Sequence, residues 1–195
     1  ALADGALLAL IASLGLLQLG HETTPELLQL TGSVAFLYSL SSAQYHPIQA
    51  RWAALLALPA MAASGSPTVA VLSGLAGMAV CWRSRQTELR GHFWFVLAAT
   101  AMAAALATLL SAIGLSGWAW RVDAAQRVMD IPKLVVWFTW PTLPLAALTV
   151  WYWRRQITYR HIAVPLLLAL VGFGAAIAMG GNERAMLVTL PALAV

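Results

Sequence analysis

"HFWFVLAATAMAAALATLLSAIG", residues 92–114, carries no acidic or basic side chain after its leading histidine. As an α-helix it would rise about 35 Å, more than the roughly 30 Å hydrocarbon core of a bilayer. A surface helix of a soluble protein shows a polar face at every turn. Here only Thr100, Thr108 and Ser111 carry hydroxyls. The stretch reads as a membrane-spanning helix. Its middle, Ala99 to Ala107 ("ATAMAAALA"), is built of short side chains. A neighbouring helix backbone can come close there, as helix packing in lipid requires. These alanines are therefore expected at helix contacts.

The rest of the chain has the same character. Of its 195 residues 61% are hydrophobic and 9% charged, with a mean hydropathy of +0.79. A soluble domain carries roughly 25% charged residues to cover its surface. Water cannot be the solvent for most of this one, and the expected class is an all-α integral membrane protein. The net charge of +4 does not point to nucleic acid, because the basic residues are scattered through short loops rather than gathered in one patch. A single cysteine, Cys81, excludes an intrachain disulfide and a multi-cysteine metal site. No basic leader with a cleavage site precedes the first apolar run. There is no glycine-rich phosphate loop, His-x-x-Glu-His motif or nucleophile elbow.

Working outward from residues 92–114, further apolar runs cover about 5–20, 26–41, 52–64, 67–82, 134–153 and 162–180, with a last one from 185. The predicted fold is a polytopic bundle of about seven to eight transmembrane helices. The runs 52–64 and 67–82 are short and meet at Ser64-Gly65-Ser66-Pro67, so they form either two tilted helices or a re-entrant hairpin. Two helices keep the loop charges consistent. The final run is about half the length a crossing needs, and residue 1 is Ala rather than Met. The expectation is thus a single transmembrane domain over 1–195, taken from a longer chain whose last helix is cut at 195.

Loop charges orient the bundle. Alternating sides, one receives Arg51, Arg83, Arg85, Arg90, Arg154, Arg155 and Arg160. The other receives Arg121, Arg127, Lys133 and Arg184, together with Glu22, Glu26, Asp123, Asp130 and Glu183. Seven basic residues against four is the positive-inside bias, which makes the first side cytoplasmic. The protein is expected in a bacterial inner membrane. The tryptophans fall near predicted helix ends, the depth that suits an apolar ring with a polar N–H. Mixed charge therefore collects outside, at 20–26, 64–67, 118–133 and 180–184. Within the third segment, Asp123, Arg127 and Asp130 share one helical face and Val122, Ala125 and Met129 the other, as in a short interfacial helix.

Several outer segments resemble those of the GT-C membrane glycosyltransferases, in the bacterial branch around glycosyltransferase family 39 and the lipid A aminoarabinose transferases. "HETTPELLQLTGSVAFLYSL" (21–40) is similar to a helix-turn-helix passage in which Thr-Pro-Asp opens an apolar helix; here it reads Thr24-Pro25-Glu26. "WFTWPTLPLAALTVWYWRR" (137–155) resembles a late helix of Trp, Pro and Leu leading to an arginine-rich cytoplasmic loop. "NERAMLVTLPALAV" (182–195) looks like the outer Arg-Tyr-x-x-x-x-Pro-Ala-Leu lead-in to a further helix, with Ala185 in place of Tyr. The resemblance implies sugar transfer from a polyprenyl-phosphate carrier at the periplasmic face. It is partial. The family's catalytic carboxylate lies in a large loop after its first helix, which these residues do not include. Its Lys-Gly-Pro-like element at the lipid phosphate is here Ser64-Gly65-Ser66-Pro67, without a base.

The candidate lipid-phosphate ligands are Arg184, Lys133 and Arg121, because an outer anion site needs cationic donors. The plain alternative pairs these cations with Asp123, Asp130 and Glu183, or with lipid headgroups. No catalytic residue, metal or cofactor is assigned; a polyprenyl-phosphate-linked sugar would be the donor substrate. His21-Glu22 suits helix capping and solvation better than acid–base work. Thr24, Pro25 and Glu26 have the order of an N-cap, a first-turn proline and an acid favoured by the helix dipole. His46, His92 and His161 are expected to be solvated at the cytoplasmic edge. Met61, Met78 and Met186 are expected to pack between helices. Two functions follow: the glycosyltransferase, or a non-catalytic membrane subunit packed against partners in a larger complex. A transporter is disfavoured because the apolar runs are almost free of ionisable residues.

Overall fold

The computed structural model describes residues 25–84, 86–115, 131–140, 142–155, 159–178 and 186–194. Among them every regular element is helical: α1 Pro25–Ser42, α2 Pro47–Ala63, α3 Pro67–Arg83, α4 Thr87–Ala112, α5 Ile131–Phe138, α6 Thr142–Tyr152, α7 Arg160–Ala178, a 3₁₀ turn Leu187–Thr189 and α8 Leu190–Ala194. The all-helical class is the one the composition predicts. One of these helices, the 26-residue α4, is long and apolar enough to cross a membrane by length and composition. Helices α3 and α6 and the stretch His161–Ile177 are apolar but shorter.

Starts and stops have local causes. Each of α1, α2 and α3 opens on proline, whose missing N–H would be unpaired in a first turn anyway and whose fixed φ is already helical. The runs 52–64 and 67–82 form two separate helices. Helix α2 ends with Gly65 at φ 98°, and α4 with Gly114 at φ 70°. In each case two backbone bonds close the turn: Gly65 N–H to Ala62 O and Ser66 N–H to Met61 O, then Gly114 N–H to Ser111 O and Leu115 N–H to Leu110 O. Both are Schellman turns, which need a left-handed residue and therefore favour glycine. The predicted run 134–153 is instead two helices, α5 and α6, interrupted at Thr139-Trp140. Pro141 supplies no N–H and disfavours helical backbone at the residue before it.

The chain divides into two compact units, Ala1–Leu30 with Arg121–Val195, and Thr31–Trp120. In the unit Thr31–Trp120, α4 lies along both α2 and α3, and α2 also packs on α3. Its interior is lined by small groups: Ala50, Ala54 and Ala57 on α2, Ser73, Gly74 and Gly77 on α3, and Ala99, Ala103 and Ala107 on α4. The last three have no exposed surface, as the short side chains of 99–107 predict. Larger groups such as Leu58, Leu89 and Val96 are buried too, and three buried side chains sit where a glycine leaves room. A Cβ on Gly77 would lie 2.7 Å from Phe36 Cζ, one on Gly74 would strike Thr100 Oγ1, and one on Gly32 would strike Met61. The bulky side chains Leu56, Trp94, Met102 and Leu109 point outward and are more than half exposed.

In the unit Ala1–Leu30 with Arg121–Val195, α7 packs on the 3₁₀ turn and on α8, and α6 touches α8. Gly172 of α7 makes the same kind of close approach, to Thr189. Met186, Leu187 and Leu190 are fully buried there. The apolar end of the sequence is thus part of a packed core.

Candidate functional site

Lys133 stands in the first turn of α5 with an exposed side chain. Arg121 and Arg184, the other candidate phosphate ligands, lie outside the described residues, as do Arg127, His21, Glu22, Thr24 and the acids Asp123, Asp130 and Glu183. Glu26 is in the first turn of α1, as expected. Among the described residues no group of three or more His, Cys, Asp or Glu side chains converges to hold a metal ion.

One polar cluster is built inside the Thr31–Trp120 unit, and the sequence reading did not foresee it. His46 and His161 are exposed, as expected for edge histidines, but His92 is only 2% exposed. The correction follows from helix phase. Helix α4 begins at Thr87, so position 92 shares the inward stripe of Leu89, Val96 and Ala99, while Arg90 turns to solvent. The spacing 89, 92, 96, 99, 103 carries that signal; the neighbouring arginine masked it.

His92 Nε2 lies 2.9 Å from Ser39 Oγ, and the Ser39 hydroxyl donates to the Ala50 carbonyl at 2.8 Å. Ser39 is itself fully buried. The single hydroxyl proton is committed to the carbonyl, so the oxygen accepts from the ring, and Nε2 carries a proton. A nucleophilic serine needs the reverse, a bare imidazole nitrogen facing its own O–H. The geometry therefore makes Ser39 and His92 a three-helix polar staple joining α1, α2 and α4. Next to it, the Tyr38 hydroxyl donates to Gln49 Oε1 at 2.8 Å, tying α1 to α2 a second time. Other hydroxyls turn back on their own helices: Thr100 donates to Val96 O at 2.7 Å and Thr149 to Leu145 O at 2.9 Å. That habit satisfies a polar group without any solvent.

The staple lies beneath a rim of cations and aromatic rings. The turns α1–α2 and α3–α4 share this end of the unit, so Arg51, Arg83 and Arg90 meet on it, as the sorting of loop charges predicts. The Arg51 guanidinium lies over the Phe95 ring, 4.7 Å from its centroid. Trp82, Phe93 and Trp94 form a row with centroid spacings of 5.8 and 5.6 Å. A comparable group in the other unit joins Trp153, His161 and Tyr159, the last two stacked at 5.8 Å, beside exposed Arg154 and Arg155. Met61 and Met186 are fully buried and Met78 half-buried, so they pack rather than line a site. Compared with known proteins, the chain matches no family model, no curated protein and no solved structure.

Proposed function

We propose that this chain is a multi-pass domain of a bacterial inner membrane, with about seven to eight crossings, and part of a GT-C type glycosyltransferase. The enzyme would move a sugar from a polyprenyl-phosphate carrier to an acceptor at the periplasmic face. The membrane half of the reading rests on one observation: in the Thr31–Trp120 unit Leu56, Trp94, Met102 and Leu109 face out, while alanines, glycines and a serine line the helix contacts beside larger buried groups such as Leu58, Met61 and Leu89. Water disfavours so many exposed large apolar side chains, whereas lipid accepts them and lets helices pack by close backbone approach. The transferase half rests on the resemblance of 21–40, 137–155 and 182–195. On this reading Arg184, Lys133 and Arg121 supply cations that hold the carrier phosphate as it leaves.

The test is sugar transfer by the purified protein in lipid, with a polyprenyl-phosphate sugar as donor. Arg184→Ala and Lys133→Ala should each lower turnover far more than abundance, because a charge-assisted contact is worth on the order of 1.5–3 kcal/mol. Copurification at fixed stoichiometry with a larger complex, with transfer absent or indifferent to both substitutions, would overturn it.

A non-catalytic membrane subunit is the second reading, and Gly65 favours it. The segment Ser64–Pro67 carries no cation, and Gly65 has the left-handed backbone that a lysine adopts only at a cost of about 1–2 kcal/mol. The cationic element of the family is thus absent there, in composition and in backbone. A carboxylate-bearing periplasmic loop upstream in the complete gene would favour the enzyme over the subunit.

A further inference from the structure

Arg51 is half-buried on α2 with its guanidinium laid on Phe95 of α4. Among the described residues it makes no hydrogen bond or ion pair. Over the ring the guanidinium still has N–H donors to offer, and that fork fits the two oxygens of a phosphate. Holding a cation partly out of water without an anion is unfavourable, so the arrangement calls for a negative partner. Its surroundings specify what kind. The sequence neighbours of the pair, Trp52 and Trp94, are 63% and 67% exposed. Arg90 is exposed one helical turn before Trp94, and Arg83 is exposed beside Trp82. Away from this end the order along α2 is Arg51, Trp52, Leu56 and along α4 Arg90, Trp94, Leu97, with Ile48 exposed at the outer end of α2. Cations, then indoles, then aliphatic groups is the order of a leaflet: phosphate, glycerol, acyl chain.

We propose that this rim seats the phosphate of an anionic phospholipid, with Arg51 as the central ligand and Arg90 and Arg83 as outlying charges. The inference rests on the membrane reading above. It concerns the leaflet opposite the face of sugar transfer, so the seated lipid is a bilayer phospholipid and not the polyprenyl donor. Nothing in it depends on transferase activity.

The test begins with the chain in bacterial membranes washed with carbonate. Retention in the pellet upholds the membrane reading, and release would overturn both. Protein extracted in mild detergent is then titrated with phosphatidylglycerol or phosphatidylcholine, and bound lipids are counted by native mass spectrometry. Phosphatidylglycerol should bind in clear preference, and Arg51→Gln should weaken it about tenfold, as loss of one charge-assisted contact predicts, with phosphatidylcholine unchanged. Arg51→Lys should recover part of the loss, since charge returns without the planar fork. If Arg51→Gln does not fold, the unmodified protein still decides: its preference must shrink as salt rises from low to physiological strength. Equal binding of the two lipids, a salt-independent preference, or displacement of phosphatidylglycerol from this rim by a polyprenyl phosphate would each overturn the proposal while leaving the membrane reading intact.

Discussion

The two ends of the Thr31–Trp120 unit are built by different means. At one end side chains hold the helices: Ser39, His92 and Ala50 are bonded across α1, α2 and α4, Tyr38 bonds Gln49, and Arg51 covers Phe95. Arginines and exposed tryptophans crowd the rim. At the other end, Ser64–Pro67 and Ile113–Leu115 carry no charged and no aromatic side chain. There the backbone holds the turns, through two glycine-centred Schellman closures. The contrast teaches how a chain with few polar groups spends them. Charge gathers at one end, and the opposite turns rely on bonds that every backbone already has.

The largest expected effect concerns sidedness. With Cys81→Ser as background, Ser66→Cys should react with an impermeant thiol reagent on intact cells, and Gln86→Cys should react only after lysis. Labelling of Gln86→Cys on intact cells would show that the charged rim faces outward, and the proposed topology would be inverted.

Next in size is the staple. His92→Ala removes a buried ring and leaves the Ser39 oxygen without its donor, a loss of about 2–3 kcal/mol. Ser39→Ala should cost about 1 kcal/mol, in keeping with hydrogen bonds measured between membrane helices. Thermal unfolding in detergent reads both. If His92→Ala were no worse than Ser39→Ala, the rim end would be held by aromatic packing instead of the polar bonds. At the bare end, Gly65→Ala and Gly114→Ala should each cost about 1 kcal/mol, because alanine must take a left-handed backbone. Space is not the obstacle, since a Cβ at either position meets nothing within 4 Å. Gly91 supplies the control: it has a helical backbone and equally open surroundings, so Gly91→Ala should be neutral or slightly stabilising. Stability unchanged by the Gly65 and Gly114 substitutions would refute the Schellman account.

Much of this was legible before any coordinates. The apolar runs locate α1 to α4 and α7 to within about five residues at their ends, because a helix satisfies its backbone hydrogen bonds within itself and an apolar run offers few side chains to interrupt it. Pro25 and the break at Ser64-Gly65-Ser66-Pro67 read from the sequence as a helix start and a boundary; Pro47 and Gly114, equally local signals, emerge only with the structure. The alternation of Arg51, Arg83 and Arg90 onto one end needs only the order of helices. The division of 134–153 into α5 and α6 was also within reach, since Pro141 stands in the middle of that run. His92 was harder. Arg90 and Trp94, two positions to either side, are both exposed and mask the spacing 89, 92, 96, 99, 103 that puts it on the inward stripe.

Composition and periodicity by themselves determined the helical class, the break at Ser64–Pro67, and the gathering of cations at one end of the unit Thr31–Trp120, because each of these depends on residues close in sequence. Tertiary structure decided the rest. That His92 protonates toward Ser39 rather than serving as its base, and that Gly74 and Gly77 exist to admit Thr100 and Phe36, are facts about helices meeting. So is the seating of Arg51 on Phe95. Each joins residues more than twenty positions apart, and no local preference of either partner specifies the other; only the close approach of two backbones, set by the smallest side chains between them, brings the pair together.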